Sequence, residues 1–177
     1  KDWLNQLPGK LVVAINLLAK NEAMDASDIN HFFEGQKPVG SHVANGKAQV
    51  QTSFRLHSDG FGRCYVLNNG LNSSQTGRLV QRLLELETYR LMALIGLPVA
   101  RSLAVEVSSM ESQLASLNQK ITEIEVEEDE RELLRQLSLI AAKVEQYRSD
   151  TNYRFSATNA YYALVGKRLD QVFEQKV

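Results

Sequence analysis

The chain has 177 residues, with 20 basic and 21 acidic side chains and a formal net charge of −1. That near-balance argues against a dedicated nucleic-acid binder, which needs a basic face to displace counterions. A single cysteine, Cys64, excludes an internal disulfide, and the longest strongly apolar run, Leu11 to Ala19, is about half the ~20 residues a spanning helix needs.

No export signal opens the sequence, and its first residue is Lys1 rather than Met; the expectation is a soluble piece of a longer protein. From Lys10 to Lys20, the β-branched Val12, Val13 and Ile15 favour a strand, with a short helix as the alternative. Ser27 is expected to open a short helix, with Asp28 in its first turn, Gly35 as its stop, and Ile29, Phe32 and Phe33 on its buried face.

Asn45-Gly46 and Asp59-Gly60 are hairpin signals, because the tightest β-turns need positive φ at their central positions. They predict a meander of strands over about 39–44, 47–57 and 61–67. Pairing about both turns puts Val50, Thr52, Phe54 and Leu56 on a core face with Phe61, Tyr65 and Leu67. Gln49, Gln51, Ser53, Arg55 and His57 then share the opposite face with His42, Cys64 and Val66. Arg63 has core-face parity and is expected near an edge, its head reaching out.

Ser73 or Ser74 is expected to cap a helix over about 73–95, apolar on more than one side and therefore sandwiched. Gly77 suggests a close backbone approach, and Arg82–Glu85 and Glu87–Arg90 are spaced to pair. Gly96-Leu97-Pro98 ends the helix.

Leu103, Val107, Met110, Leu114, Leu117, Ile121 and Ile124 then recur in alternating steps of four and three, a heptad seam. They predict a helix from about Val99 to Glu127, roughly 40 Å long. The spacing restarts at Leu133 or Leu134 and continues through Leu137, Ile140, Val144 and Tyr147. An antiparallel hairpin follows, with an acidic tip near 127–131. Thr151, Arg154 and Thr158 occupy seam positions before Tyr161, Tyr162, Val165, Leu169, Val172 and Phe173 recover the pattern, so a stutter is expected near Phe155. The reading is α+β: a small antiparallel or mixed sheet with a packed central helix over 1–98, and a coiled-coil-like helical hairpin over 99–177.

Several stretches resemble one family. They are Phe54-Arg55-Leu56-His57-Ser58-Asp59-Gly60-Phe61-Gly62-Arg63, the run from Gly77 through Arg90, the Met92-Ala93-Leu94 to Leu97-Pro98 segment, and Tyr153-Arg154-Phe155-Ser156-Ala157-Thr158. The family is the proteobacterial one of predicted membrane-anchored proteins, domain of unknown function 3422. The resemblance covers nearly the whole chain and carries over no catalytic residue. It implies further helix and a hydrophobic anchor C-terminal to this chain, hence a membrane-associated protein; the lone cysteine and the absence of an export signal lead to the expectation that this part is cytoplasmic.

No set of residues converges on catalysis or metal binding. His42 pairs near Gln49, too far along a strand from His57 to share a ligand. His57-Ser58-Asp59 are triad residue types, but strand neighbours point apart. Cys64 has no activating base and is expected to be inert. The best candidate binding surface is the polar strand face with Gln51, Ser53, Arg55 and His57, together with Arg63; a merely solvated face is the competing reading. The function expected is a non-enzymatic interaction or assembly module, without cofactor or nucleic acid, that meets a protein partner or a second copy through the seam. The alternative is a ligand-binding or enzymatic domain using the polar face.

Overall fold

The computed structural model describes residues 6, 8–121 and 127–172. Its elements are β1 (Ile15–Lys20), α1 (Ala26–Phe32), β2 (Val39–Val43), β3 (Ala48–Thr52), β4 (Gly62–Asn68), α2 (Ser73–Leu94), α3 (Leu97–Ile121) and α4 (Glu127–Val172). They fall into two compact units. The first comprises residues 1–92 and 161–177, the second residues 93–160. Ile124 and Phe173 lie outside the described residues.

The first unit holds a four-stranded mixed sheet of order β1-β4-β3-β2, so the α+β class holds. The β2–β3 hairpin forms about Asn45-Gly46, with Ala44, Asn45 and Gly46 all at positive φ, and His42 faces Gln49 as expected. The next pairing departs from expectation. β3 stops at Thr52 instead of running to His57, because Phe54 turns into the left-handed region with φ 53°. Val50 therefore pairs with Val66, and Thr52 with Cys64. An odd shift in register exchanges the faces of a strand. Cys64 and Val66 consequently lie with Val43, Ala48 and Val50 in the core, whereas Tyr65 and Arg63 take the face of Gln49 and Gln51. Asp59-Gly60 still makes a turn, with Gly60 at φ 79° and its N–H on His57 O at 2.8 Å, but at the apex of a loop.

Strand β4 is covered on both faces. Leu79, Leu83 and Val172 close the face of Cys64 and Val66. On the other face Tyr65 is 2% exposed; its hydroxyl accepts from Met24 N–H and lies 3.2 Å from Glu22 O. A strand buried on both faces reads as an apolar run, as Cys64-Tyr65-Val66-Leu67 does. Parallel to it runs β1, Leu17 beside Cys64.

Both sheet-side helices start on a residue other than the one expected. Asp25 caps α1 by accepting from Asp28 N–H at 2.7 Å. Asn72 and Gln75 cap α2 reciprocally, each side-chain oxygen taking the other's N–H at 2.9 and 3.0 Å, a capping box. Glu87 and Arg90 pair as spaced, but Arg82 donates to Gln171 O near the end of α4, and Glu85 pairs with Arg168 instead. Gly77 has open space where a Cβ would sit, which overturns the expected close approach there. Leu84 and Leu94 of α2 are exposed.

The second unit is an antiparallel helix pair. Met110 and Leu117 of α3 bury against Ile140, with Leu133, Leu137 and Tyr147 packed around them. The close backbone approach lies here, where a Cβ on Gly96 would collide with Thr158 Oγ1. The Thr158 hydroxyl also donates to Ala93 O at 3.4 Å, so a polar seam residue sits where the chain turns between α2 and α3. Helix α4 opens at Glu127, so residues 127–131, where the tip is expected, are helical. One helical stretch within Ser73–Ile121 is long and apolar enough to cross a membrane by length and composition, and 6% of it is buried. That corrects the expectation that these residues hold no such segment, although the turn at Ile95–Gly96 divides the stretch.

Candidate functional site

The loop between β3 and β4 and the C-terminal end of α1 build one polar cluster. Its centre is Glu34, at φ 50°. Its carboxylate accepts from Ser58 N–H at 2.8 Å, from the Ser58 hydroxyl at 2.7 Å and from Arg63 Nη2 at 2.6 Å. These bonds, the two from Ser58 first and the Arg63 charge after them, hold the Glu34 carboxyl down to about 2 against a usual 4.5. Arg63 also donates to Phe32 O, sits 3.6 Å from Asp59 and lies over the Phe32 ring at 5.7 Å.

His57 joins this cluster to the strand end. Its side chain is fully buried; Nδ1 lies 3.6 Å from Glu34 Oε2 and Nε2 shares a 3.0 Å hydrogen bond with Ser53 Oγ. The order is serine, histidine, carboxylate, as in a hydrolytic triad. The surrounding main-chain donors are engaged elsewhere, however: Phe54 N–H donates to Thr52 Oγ1 and Arg55 N–H to Ser53 Oγ itself. A tetrahedral oxyanion needs free donors aimed at it. Glu34 makes its short bonds to Ser58 and Arg63 rather than to His57. The arrangement thus locks the 53–61 loop against α1 and holds Phe54 in a backbone conformation that costs a bulky residue about 1–2 kcal/mol. Arg90 adds to the lock, lying over the Phe54 ring at 5.1 Å.

Of the five residues of the expected binding surface, Ser53, His57 and Arg63 are brought together. Gln51 remains on β3 opposite Tyr65. Arg55 lies in the loop beyond β3, where it lines a cavity. Glu34 was absent from the expected set. It lies 24 residues before Ser58 and 29 before Arg63, and the local sequence offers only the helix stop at Gly35 as a hint.

The cavity, about 220 Å³, lies between the sheet and the helices of the first unit. Ile15, Leu17 and Val50 floor it; Leu83, Leu86 and Val172 roof it. Cys64 is buried in its wall, and that burial, with the Glu87 charge adding to it, pushes the thiol up to about 12. The thiol is therefore held protonated at neutral pH.

Glu34 makes the loop lock pH-dependent. Its folded pKa lies below its unfolded value, so its contribution is fully present above about 4.5 and is lost as pH falls toward about 2. The stability difference between wild type and Glu34→Gln should therefore shrink steadily across that window. Denaturant unfolding at pH 7, 4 and 2.5 checks this, and a pH-independent difference would contradict it.

Fold and site together define an α+β protein with a locked β3–β4 loop and an antiparallel helix pair. The chain belongs to the family described as Protein of unknown function (DUF3422), whose model matches residues 1–177. No curated protein and no solved structure matches it.

Proposed function

We propose that the chain is a non-enzymatic assembly module whose helical unit associates with a second copy of itself. The observation that carries this reading is the half-used seam. Met110 and Leu117 are buried, whereas the alternating seam members Val107, Leu114 and Ile121 remain exposed, Ile121 by 47%. Val105 on the same helix is 70% exposed, and Leu134, Leu139 and Val144 on α4 add to the apolar surface. A helix pair buries one stripe per helix, and further apolar stripes call for further helices. Two hairpins packed face to face give a four-helix bundle, a self-complementary arrangement of the commonest oligomeric symmetry. The near-zero net charge leaves little repulsion to oppose it.

Sedimentation velocity over a hundredfold range of concentration tests this. The wild type should shift to a dimer, and the double variant Val107→Glu, Leu114→Glu should stay monomeric with unchanged helical circular dichroism. A wild type that is monomeric throughout would overturn the reading. The longer protein is read as membrane-anchored, with this part cytoplasmic. The support is the resemblance to a family of predicted anchored proteins and the lone cysteine. Full-length protein should stay in the membrane pellet after a carbonate wash; its release would remove the anchor.

A further inference from the structure

The cavity of the first unit belongs to neither the loop lock nor the helical seam. An apolar cavity of ~150 Å³ already takes up benzene; at the same packing, about 220 Å³ accommodates a chain of about eight or nine carbons. A void of this size left empty forfeits packing contacts on all its walls, so a fitting apolar guest is favoured there. The lining is mostly apolar, with Ser41, Thr52, Arg55, Arg63 and Glu87 as its polar members. Among the lining residues Val39, Phe54, Arg55, Leu84 and Leu169 are exposed, and the cavity opens to solvent beside them.

Charge at that opening is uneven. Glu87 is held by both Nε and Nη2 of Arg90, and Arg90 lies over the Phe54 ring. Arg63 turns away to Glu34. The Arg55 guanidinium, by contrast, makes no ion pair among the described residues. The rim therefore carries one uncompensated positive charge beside an apolar hole. We propose that the cavity binds an anionic amphiphile of medium chain length, its alkyl tail between the sheet and α2 and its carboxylate on Arg55. The geometry selects against bulkier ligands, because the roof residues Leu83 and Val172 are themselves packed into the core.

Titration of the chain with sodium octanoate, followed by calorimetry and by methyl NMR, tests the proposal. Saturable one-to-one binding is expected, with shifts at Leu83, Val50 and Val172. Acetate should not bind, and 1-octanol should bind more weakly than octanoate. Arg55→Gln should weaken octanoate about three- to fivefold, the size of one exposed ion pair, and leave octanol unchanged. Leu83→Phe, a cavity-filling change, should abolish both; if that variant misfolds, Arg55→Gln still decides the matter from the surface. No saturable octanoate binding, equal affinity for octanol and octanoate, or indifference to Arg55→Gln would each overturn the proposal. So would a full-length protein that excludes octanoate while this chain accepts it, since the cavity would then hold another segment of the protein itself.

Discussion

Replacing Leu117 with alanine should cost about 2–5 kcal/mol, the usual range for a buried leucine. Leu117 is 4% exposed and shares its cluster with Met110 and Ile140, so the hole left behind is walled from both helices. The loss should be confined to the second unit. Hydrogen exchange resolves this: α3 and the facing part of α4 should lose protection, while β4 amides keep theirs. A change below ~0.5 kcal/mol would mean that the seam does not bury Leu117 in solution. Leu114→Ala gives the contrast. Leu114 sits at 36% exposure, so the same truncation should matter less in a dilute sample than at concentrations where two copies meet.

The largest loss in the first unit is expected from Phe33→Ala, about 3–5 kcal/mol. Phe33 is 0% exposed, packs edge-on against Phe32 at 5.1 Å and approaches the His57 ring at 6.2 Å. Its removal empties the space that the locked loop is built against. The measurement is urea unfolding followed by near-ultraviolet circular dichroism, with helical signal at 222 nm as a separate probe, since two units need not unfold together. The tertiary signal should disappear at lower urea than in wild type, ahead of most of the helical signal. Coincident loss of both signals at the wild-type midpoint would show that Phe33 does not anchor α1.

The parts of the fold legible in the sequence are those governed by short repeats. Asn45-Gly46 sets its hairpin because positive φ at a tight turn selects these residues, and the register follows from the turn. The seam is legible because side chains three and four apart share a helix face. Only alternate members are buried, however, since periodicity marks an apolar stripe without saying how many neighbours it has. The second hairpin departs from its sequence signal at Phe54. Nothing about a phenylalanine announces a left-handed backbone, and one odd shift in register moved Cys64 and Val66 from the polar face to the core. The helix starts were missed narrowly. Asp25 and Asn72 cap where the sequence points to Ser27 and to Ser73 or Ser74, because neighbouring residues of similar capping strength compete and tertiary placement decides between them. The candidate site was half legible: Ser53, His57 and Arg63 were in the expected set, but Glu34, which gathers them, reaches them only through the folded chain.

The first unit is interrupted in sequence, and this bears on the order in which the protein is made. Its sheet and most of α2 are synthesised before residue 93, yet the roof residues Leu169 and Val172, and the Ala44 N–H bond to Val172 O at 2.8 Å, come only after the whole second unit has been translated. A nascent chain stalled anywhere between those points presents an apolar sheet face missing one wall. Such faces are what chaperones bind and what aggregation begins from. Fast local closure of the helix pair, a low-contact-order event, shortens the wait by drawing the two halves of the interrupted unit together as soon as α4 emerges.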